Sequence, residues 1–129
     1  MIGPELAAAL AQRGYTSLTS VQEAVLDPAL ADRDLRVTSQ TGSGKTVALG
    51  LAVRHLILGD TASKGGAARP RAIVVAPTRE LAHQVEQELT WLYAPLGVKV
   101  VTTTGGSSAR EERRALGTGP AVIVGTPGR

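Results

Sequence analysis

Apolar positions along this chain fall into two alternating rhythms, one helical and one continuous. Leu6 and Leu10 recur at helical spacing behind Pro4, a residue suited to a first helical turn, and the pattern stops at Gly14. Ser20-Val21-Gln22-Glu23 has the form of a capping box, in which Ser and Glu satisfy each other's open N–H groups, so a second helix is predicted from Ser20. Leu35 to Thr38 reads as a short strand and Ser39 to Thr46 as a Gly-containing loop. From Lys45 a helix follows, with Leu49, Val53, Leu56 and Ile57 at helical spacing and Gly59 closing it. Residues 60–70 are small, polar and Gly-rich and read as a flexible surface loop.

The second half repeats the alternation. Ala72 to Ala76 is an unbroken apolar run, the pattern of a strand buried on both faces. Thr78 can cap a helix whose inward stripe is Leu81, Val85, Leu89 and Leu92. Val98 to Thr103 reads as a strand ended by Gly105-Gly106. Ser108-Ala109-Arg110-Glu111 is another capping-box pattern, opening a short helix to Leu116, and Ala121 to Val124 is a last buried strand. Strands alternating with helices predict an α/β fold with a parallel sheet and right-handed crossovers.

Composition narrows the possible functions. The chain has 129 residues, 43% of them hydrophobic and 19% charged, enough for a packed core within at most one domain. It has no cysteine, which excludes a disulfide scaffold, thiolate metal ligands and a cysteine nucleophile. Aromatic residues make up 2%, against a surface that stacks bases on rings. The net charge of +3 is compatible with a nucleic-acid partner without requiring one. No signal peptide or bilayer-spanning run is present, so a cytoplasmic protein without a membrane partner is expected. His55 and His83 have no Cys, Asp or Glu at metal-ligand spacing. Arg110, Arg113 and Arg114 with Glu111 and Glu112 read as a solvated helix face, and Trp91 as packing.

The chemistry concentrates at Ser39-Gln40-Thr41-Gly42-Ser43-Gly44-Lys45-Thr46, between a predicted strand and a predicted helix. Glycines let backbone N–H groups turn inward around phosphate oxygens, and the helix N-terminus adds its positive dipole. Lys45 can reach the β- and γ-phosphates and the Thr46 hydroxyl can ligate Mg²⁺, which makes these two the candidate catalytic residues. A carboxylate to hold Mg²⁺ for hydrolysis is expected at the end of a second apolar strand. Here the apolar runs lead into Pro77, Gly105 and Gly125, and none into Asp or Glu.

Four blocks, taken in order, resemble the N-terminal part of a DEAD-box ATP-dependent RNA helicase, a superfamily 2 enzyme with two RecA-like domains. Gly14-Tyr15 with Thr19-Ser20-Val21-Gln22 resembles the adenine-reading Q motif, and Ser39 to Thr46 resembles motif I. Pro77-Thr78-Arg79-Glu80-Leu81-Ala82 resembles motif Ia. Gly105-Gly106 stands where the family has a GG turn, and Thr126-Pro127-Gly128-Arg129 resembles motif Ib. The sequence departs from the family's pattern at Leu18 and Ser20, where Pro is usual, and at Ser39, where Ala is usual; Arg36 interrupts the strand expected before the loop.

The resemblance implies a RecA-like P-loop fold, with residues 1–129 as part of a first ATP-binding domain cut after motif Ib and with the DEAD quartet and second domain absent. It implies ATP and Mg²⁺ as cofactors, with Tyr15, Gln22 and Ser39 to Thr46 on the nucleotide. Pro77, Thr78, Arg79, Gly105, Gly106, Thr126, Pro127, Gly128 and Arg129 would lie along an RNA backbone read with little base preference. The full enzyme would couple ATP hydrolysis to local duplex opening. On the same reasoning the strand at Leu35 to Thr38 would lack neighbours, leaving an isolated 129-residue chain inactive and prone to aggregate. Two alternatives stay open: a DNA-acting helicase of the same superfamily, and a non-catalytic nucleotide- or RNA-binding module.

Overall fold

A computed structural model describes residues 2–59, 69–105 and 108–129. Helix α1 (Pro4–Gln12) begins at its proline and gives way to Gly14, whose φ of +85° turns the chain toward α2 (Ser20–Ala24). Helix α2 starts at Ser20 as expected, but its capping box lies one residue earlier. Thr19 is the N-cap and Gln22, not Glu23, closes the box.

Helix α3 (Lys45–Leu58) follows the glycine loop. Strand β1 (Ala72–Val75) leads to α4 (Arg79–Tyr93), capped by Thr78, whose Oγ1 accepts from Leu81 N at 3.2 Å. Strand β2 (Val100–Thr103) leads to α5 (Ala109–Leu116), capped by Ser108, and β3 (Val122–Gly125) completes the sheet. Of the loop expected over 60–70, residues 60–68 lie outside the described residues.

All strand pairing is parallel, in the order β1-β3-β2. Val75 and Thr103 both register with Gly125, so the three strands end level with one another. One sheet face, with Val100, Val122 and Val124, packs against α4, whose buried stripe is Ala82, Val85, Leu89, Leu92 and Tyr93. Leu81, expected on that stripe, is exposed, because the helix turns Ala82 inward instead.

Helix α3 lies on α4 at close range. A Cβ at Gly50 would stand 2.6 Å from Leu92 Cδ2 and 3.0 Å from Leu89 Cδ2, so glycine is what allows the approach. The fully buried Tyr93 donates its hydroxyl to Gly50 O at 2.6 Å, and burial raises its pKa far above the ordinary phenol value. Tyr93→Phe leaves that buried carbonyl without the hydroxyl and is expected to cost about 1.5 kcal/mol in urea-unfolding free energy.

Two expectations are corrected. The strand over Leu35 to Thr38 does not form: no other strand lies beside it among the described residues, so no ladder of hydrogen bonds holds these four residues in a sheet. Leu35 and Val37 are 40% and 44% exposed on a groove of about 830 Å³, with Leu49 and Leu56 of α3 on its other wall. Arg36, which would have broken a buried strand, is exposed here and meets no burial.

Second, β1 is not buried on both faces. Ile73 and Val75 are 70% and 64% exposed: only Ala72 and Val74 of this strand pack against the core, and the outer edge of β1 pairs with no strand among the described residues.

Candidate functional site

The glycine loop takes the shape that its residues demand. Gly42 and Gly44 have φ of +81° and +82°, left-handed values that a side chain makes costly. Ser39 Oγ donates to Ser43 Oγ at 2.5 Å across the loop, so the hydroxyl that replaces the usual Ala serves as a brace. Lys45 Nζ donates to the carbonyls of Ser39 and Gln40 at 2.5 and 2.7 Å. Ala48 N bonds Gly44 O, and the N–H groups before it, at the helix N-terminus, point out toward the loop. Thr41 and Gln40 are exposed on the rim, and Thr46 sits half-buried in the first turn of α3.

Helix α2 is bolted to this loop. Gln22, fully buried, accepts from Thr19 N at 3.0 Å and donates through Nε2 to Gly44 O at 3.3 Å. Thr19 Oγ1 donates to Ser43 O at 2.8 Å. Gln22 is thus a strut between α2 and the glycine loop, with both ends of its amide engaged by backbone. Tyr15 is half-buried with its ring stacked on Trp91, centroids 6.1 Å apart, and Arg13 lies 5.0 Å over the same indole. That places Tyr15 against α4, and none of its described contacts reaches the glycine loop.

A second cluster forms where the three parallel strands end. Each strand delivers its following turn to the same sheet edge, so segments far apart in sequence meet there. Pro77, Thr78, Arg79, Thr104, Gly105, Thr126, Gly128 and Arg129 line one cleft of about 380 Å³. Thr126 Oγ1 donates to Thr104 O at 3.4 Å, and Arg129 N donates to Thr126 O at 3.0 Å, tying these turns together. Pro127 is exposed between Thr126 and Gly128, and Gly106 lies outside the described residues.

The sequence matches the description DEAD/DEAH box helicase over residues 19–129. The chain belongs to that family. It is 44% identical to DEAD-box ATP-dependent RNA helicase 53 of Oryza sativa subsp. japonica, over 99% of this chain and 21% of the relative. It is 46% identical to the chloroplastic DEAD-box ATP-dependent RNA helicase 3A of Zea mays, over 97% of this chain and 17% of the relative. The chain therefore spans about a fifth of the length of these relatives. The crystal structure of the RNA-helicase Prp28 from Chaetomium thermophilum bound to ADP matches with a TM-score of 0.84 and 38% identity, over 99% of this chain and 31% of that one. The fold is accordingly the RecA-like α/β fold.

Within this helicase fold the glycine loop and the strand-end cleft carry the recognisable chemistry. Among the described residues no group of three His, Cys, Asp or Glu could hold a metal ion, and none of their helices is long and apolar enough to cross a membrane. The loop suits a phosphate chain through its positive-φ glycines, the open N–H groups of α3 and Lys45. For Mg²⁺ the same loop offers one protein ligand, the Thr46 hydroxyl.

Three contributors escaped the sequence reading. Thr19 is the true cap of α2 and a brace on the loop; the Thr19-x-x-Gln22 spacing was a visible signal for it. Tyr93 locks α3 to α4. Glu112, expected on a solvated face, is buried at 7% exposure and accepts from Thr104 N, Gly105 N and Arg129 Nε at 3.0, 2.8 and 2.7 Å. The Arg129 guanidinium and the Gly105 N–H hold its carboxyl below the usual carboxylate range. The capping spacing from Ser108 singles out Glu111 as the third helical residue but gives no sign that Glu112 turns inward.

Proposed function

We propose that these 129 residues form the ATP-binding and RNA-backbone-binding part of a first RecA-like domain in a cytoplasmic ATP-dependent RNA helicase. The observation that carries this reading is the convergence of Arg79, Gly105, Thr126 and Arg129 on one cleft, in a chain that also holds a glycine loop braced by its own capping helix. ATP would lie with its phosphates in the Ser39 to Thr46 loop. Lys45 exchanges its two loop carbonyls for phosphate oxygens, and Gly42, Gly44 and the first turn of α3 donate backbone N–H groups. When bound, Mg²⁺ would screen the phosphate charge, with the Thr46 hydroxyl as its ligand from this chain.

Tyr15 and Gln22 are assigned to the adenine side through the family's Q motif. Contact between Gln22 and adenine requires its amide to open away from Gly44. Coupling to the phosphate loop through that same bond is how occupancy of the base site would reach the phosphates.

At the cleft, Arg79 and Arg129 supply charged donors, and the N-terminus of α4 at Thr78 adds its dipole. Two arginines, a hydroxyl and close-approaching glycines suit phosphate and sugar contacts, which position a strand without reading its bases. The scarcity of aromatic rings agrees with that.

Arg79→Gln in the natural protein that carries this segment is expected to weaken single-stranded RNA binding about tenfold and to lower the steepness of its salt dependence by about 0.7. Fluorescence anisotropy across a salt series reads both quantities. Unchanged affinity and slope would remove the cleft from the nucleic-acid path, and equal binding of a DNA strand of the same sequence would favour a DNA-acting enzyme.

A further inference from the structure

Helix α5 carries five charged side chains, and four of them, Arg110, Glu111, Arg113 and Arg114, are exposed. Glu112 alone turns inward. Burying a carboxylate is costly unless its oxygens find donors, and here they do. Oε1 receives the successive backbone N–H groups of Thr104 and Gly105, and Oε2 receives Arg129 Nε.

On charge alone this carboxylate opposes a polyanionic ligand in the neighbouring cleft, so its contribution must lie in geometry. We infer that Glu112 is a positioning residue of the cleft, a single carboxylate that presets both the Gly105 turn and the Arg129 guanidinium for contact with a nucleic-acid backbone. The inference rests on the reading of the cleft as an RNA-backbone site.

Three features give it content. The Gly105 turn has φ of +74°, and both of its leading N–H groups are committed to Glu112, so it meets a ligand by close approach of its backbone, with its N–H turned inward. Arg129 uses Nε on Glu112, which leaves the fork's terminal nitrogens to address a phosphate from a 36%-exposed side chain. Its backbone N–H is held by Thr126 O, so the residue is fixed at both ends. The turns that follow β2 and β3 thereby share one anchor on α5, and the arginine gives up less rotamer freedom on binding than an untethered one would.

The test uses the natural protein and single-stranded RNA. Glu112→Gln keeps an amide oxygen for the turn but presents an N–H to Arg129 Nε, which releases that arm. The expected result is RNA affinity lowered about tenfold, although the protein has become more positive, with nucleotide affinity unchanged. Tighter or unchanged RNA binding would overturn the inference, since loss of a negative charge by itself strengthens binding.

The double variant Glu112→Gln/Arg129→Gln is expected to bind no more weakly than Arg129→Gln, because both changes remove one coupled contact; full additivity would overturn the inference. If Glu112→Gln lowers the yield of folded protein, Arg129→Lys probes the same arm: it keeps the charge and loses the Nε bond. A comparable loss supports positioning, and wild-type affinity overturns it. Should Arg129→Gln leave RNA binding untouched, the cleft reading itself fails and the inference falls with it. Should Arg129→Gln weaken binding while Glu112→Gln does not, only the inference falls.

Discussion

Lys45→Ala is expected to lower nucleotide affinity roughly hundredfold or more, the value of two charge-assisted bonds from one ammonium. In the structure Nζ is held by the carbonyls of Ser39 and Gln40, which keeps the charge at the mouth of the loop. Those carbonyls are ordinary acceptors, whereas phosphate oxygens carry formal charge, so exchange from one set to the other favours the bound state. Alanine removes the charge and leaves the glycine geometry intact, so folding is expected to change little. Titration with a fluorescent ATP analogue checks the affinity and urea unfolding checks the fold. Affinity within a few-fold of the parent protein would exclude Ser39 to Thr46 as the phosphate site.

Gly44→Ala is expected to fail by a different route. At φ of +82° a side chain already costs about 1–2 kcal/mol. The added Cβ would drive into Gln22 Nε2 and stand 3.3 Å from Gln22 Cδ, so the buried amide must swing off Gly44 O and give up the bond that ties α2 to the loop. Strain and overpacking together are expected to cost roughly 3 kcal/mol in unfolding free energy, with loss of nucleotide binding because α2 is pushed off the loop.

Gln22→Ala in the same chain removes the obstructing amide and is expected to recover about half of the stability while leaving the φ strain. Absence of any recovery would mean that the two residues do not meet as described. The pair thus separates what the glycine does for backbone conformation from what it does for the strut.

These outcomes show unevenly what was legible beforehand. The glycine loop was readable because its chemistry is local: eight consecutive residues contain both the turn and the cation. The caps at Thr78 and Ser108 were readable for the same reason. The Gln22 strut was only half legible, since the capping spacing appears in sequence but its partner Gly44 lies 22 residues away. Gly50 carries no signal of its own in the sequence, and only the approach of Leu89, Leu92 and Tyr93 explains it.

Strand expectations failed where pairing decided the matter. Ala72 to Val75 formed because β3 lies alongside, and Leu35 to Thr38, already interrupted by Arg36, did not form without such a neighbour. Apolar side chains favour burial, but a strand exists only when another backbone accepts its hydrogen bonds.

By itself the sequence determined the order of helices and most strands, the glycine loop that leads into α3 at Lys45, and the membership of the chain in a helicase family through blocks in fixed order. The tertiary structure alone decided which of those blocks meet. Parallel pairing in the register Val75, Gly125 and Thr103 brings three strand ends level, so that turns from residues 77 to 129 share one cleft. It also turned Glu112 inward to hold Arg129, a partner 17 residues away that no local pattern names. The physical reason is range: caps and glycine turns are settled within a few residues, whereas burial and strand register depend on partners that the chain brings near only by folding.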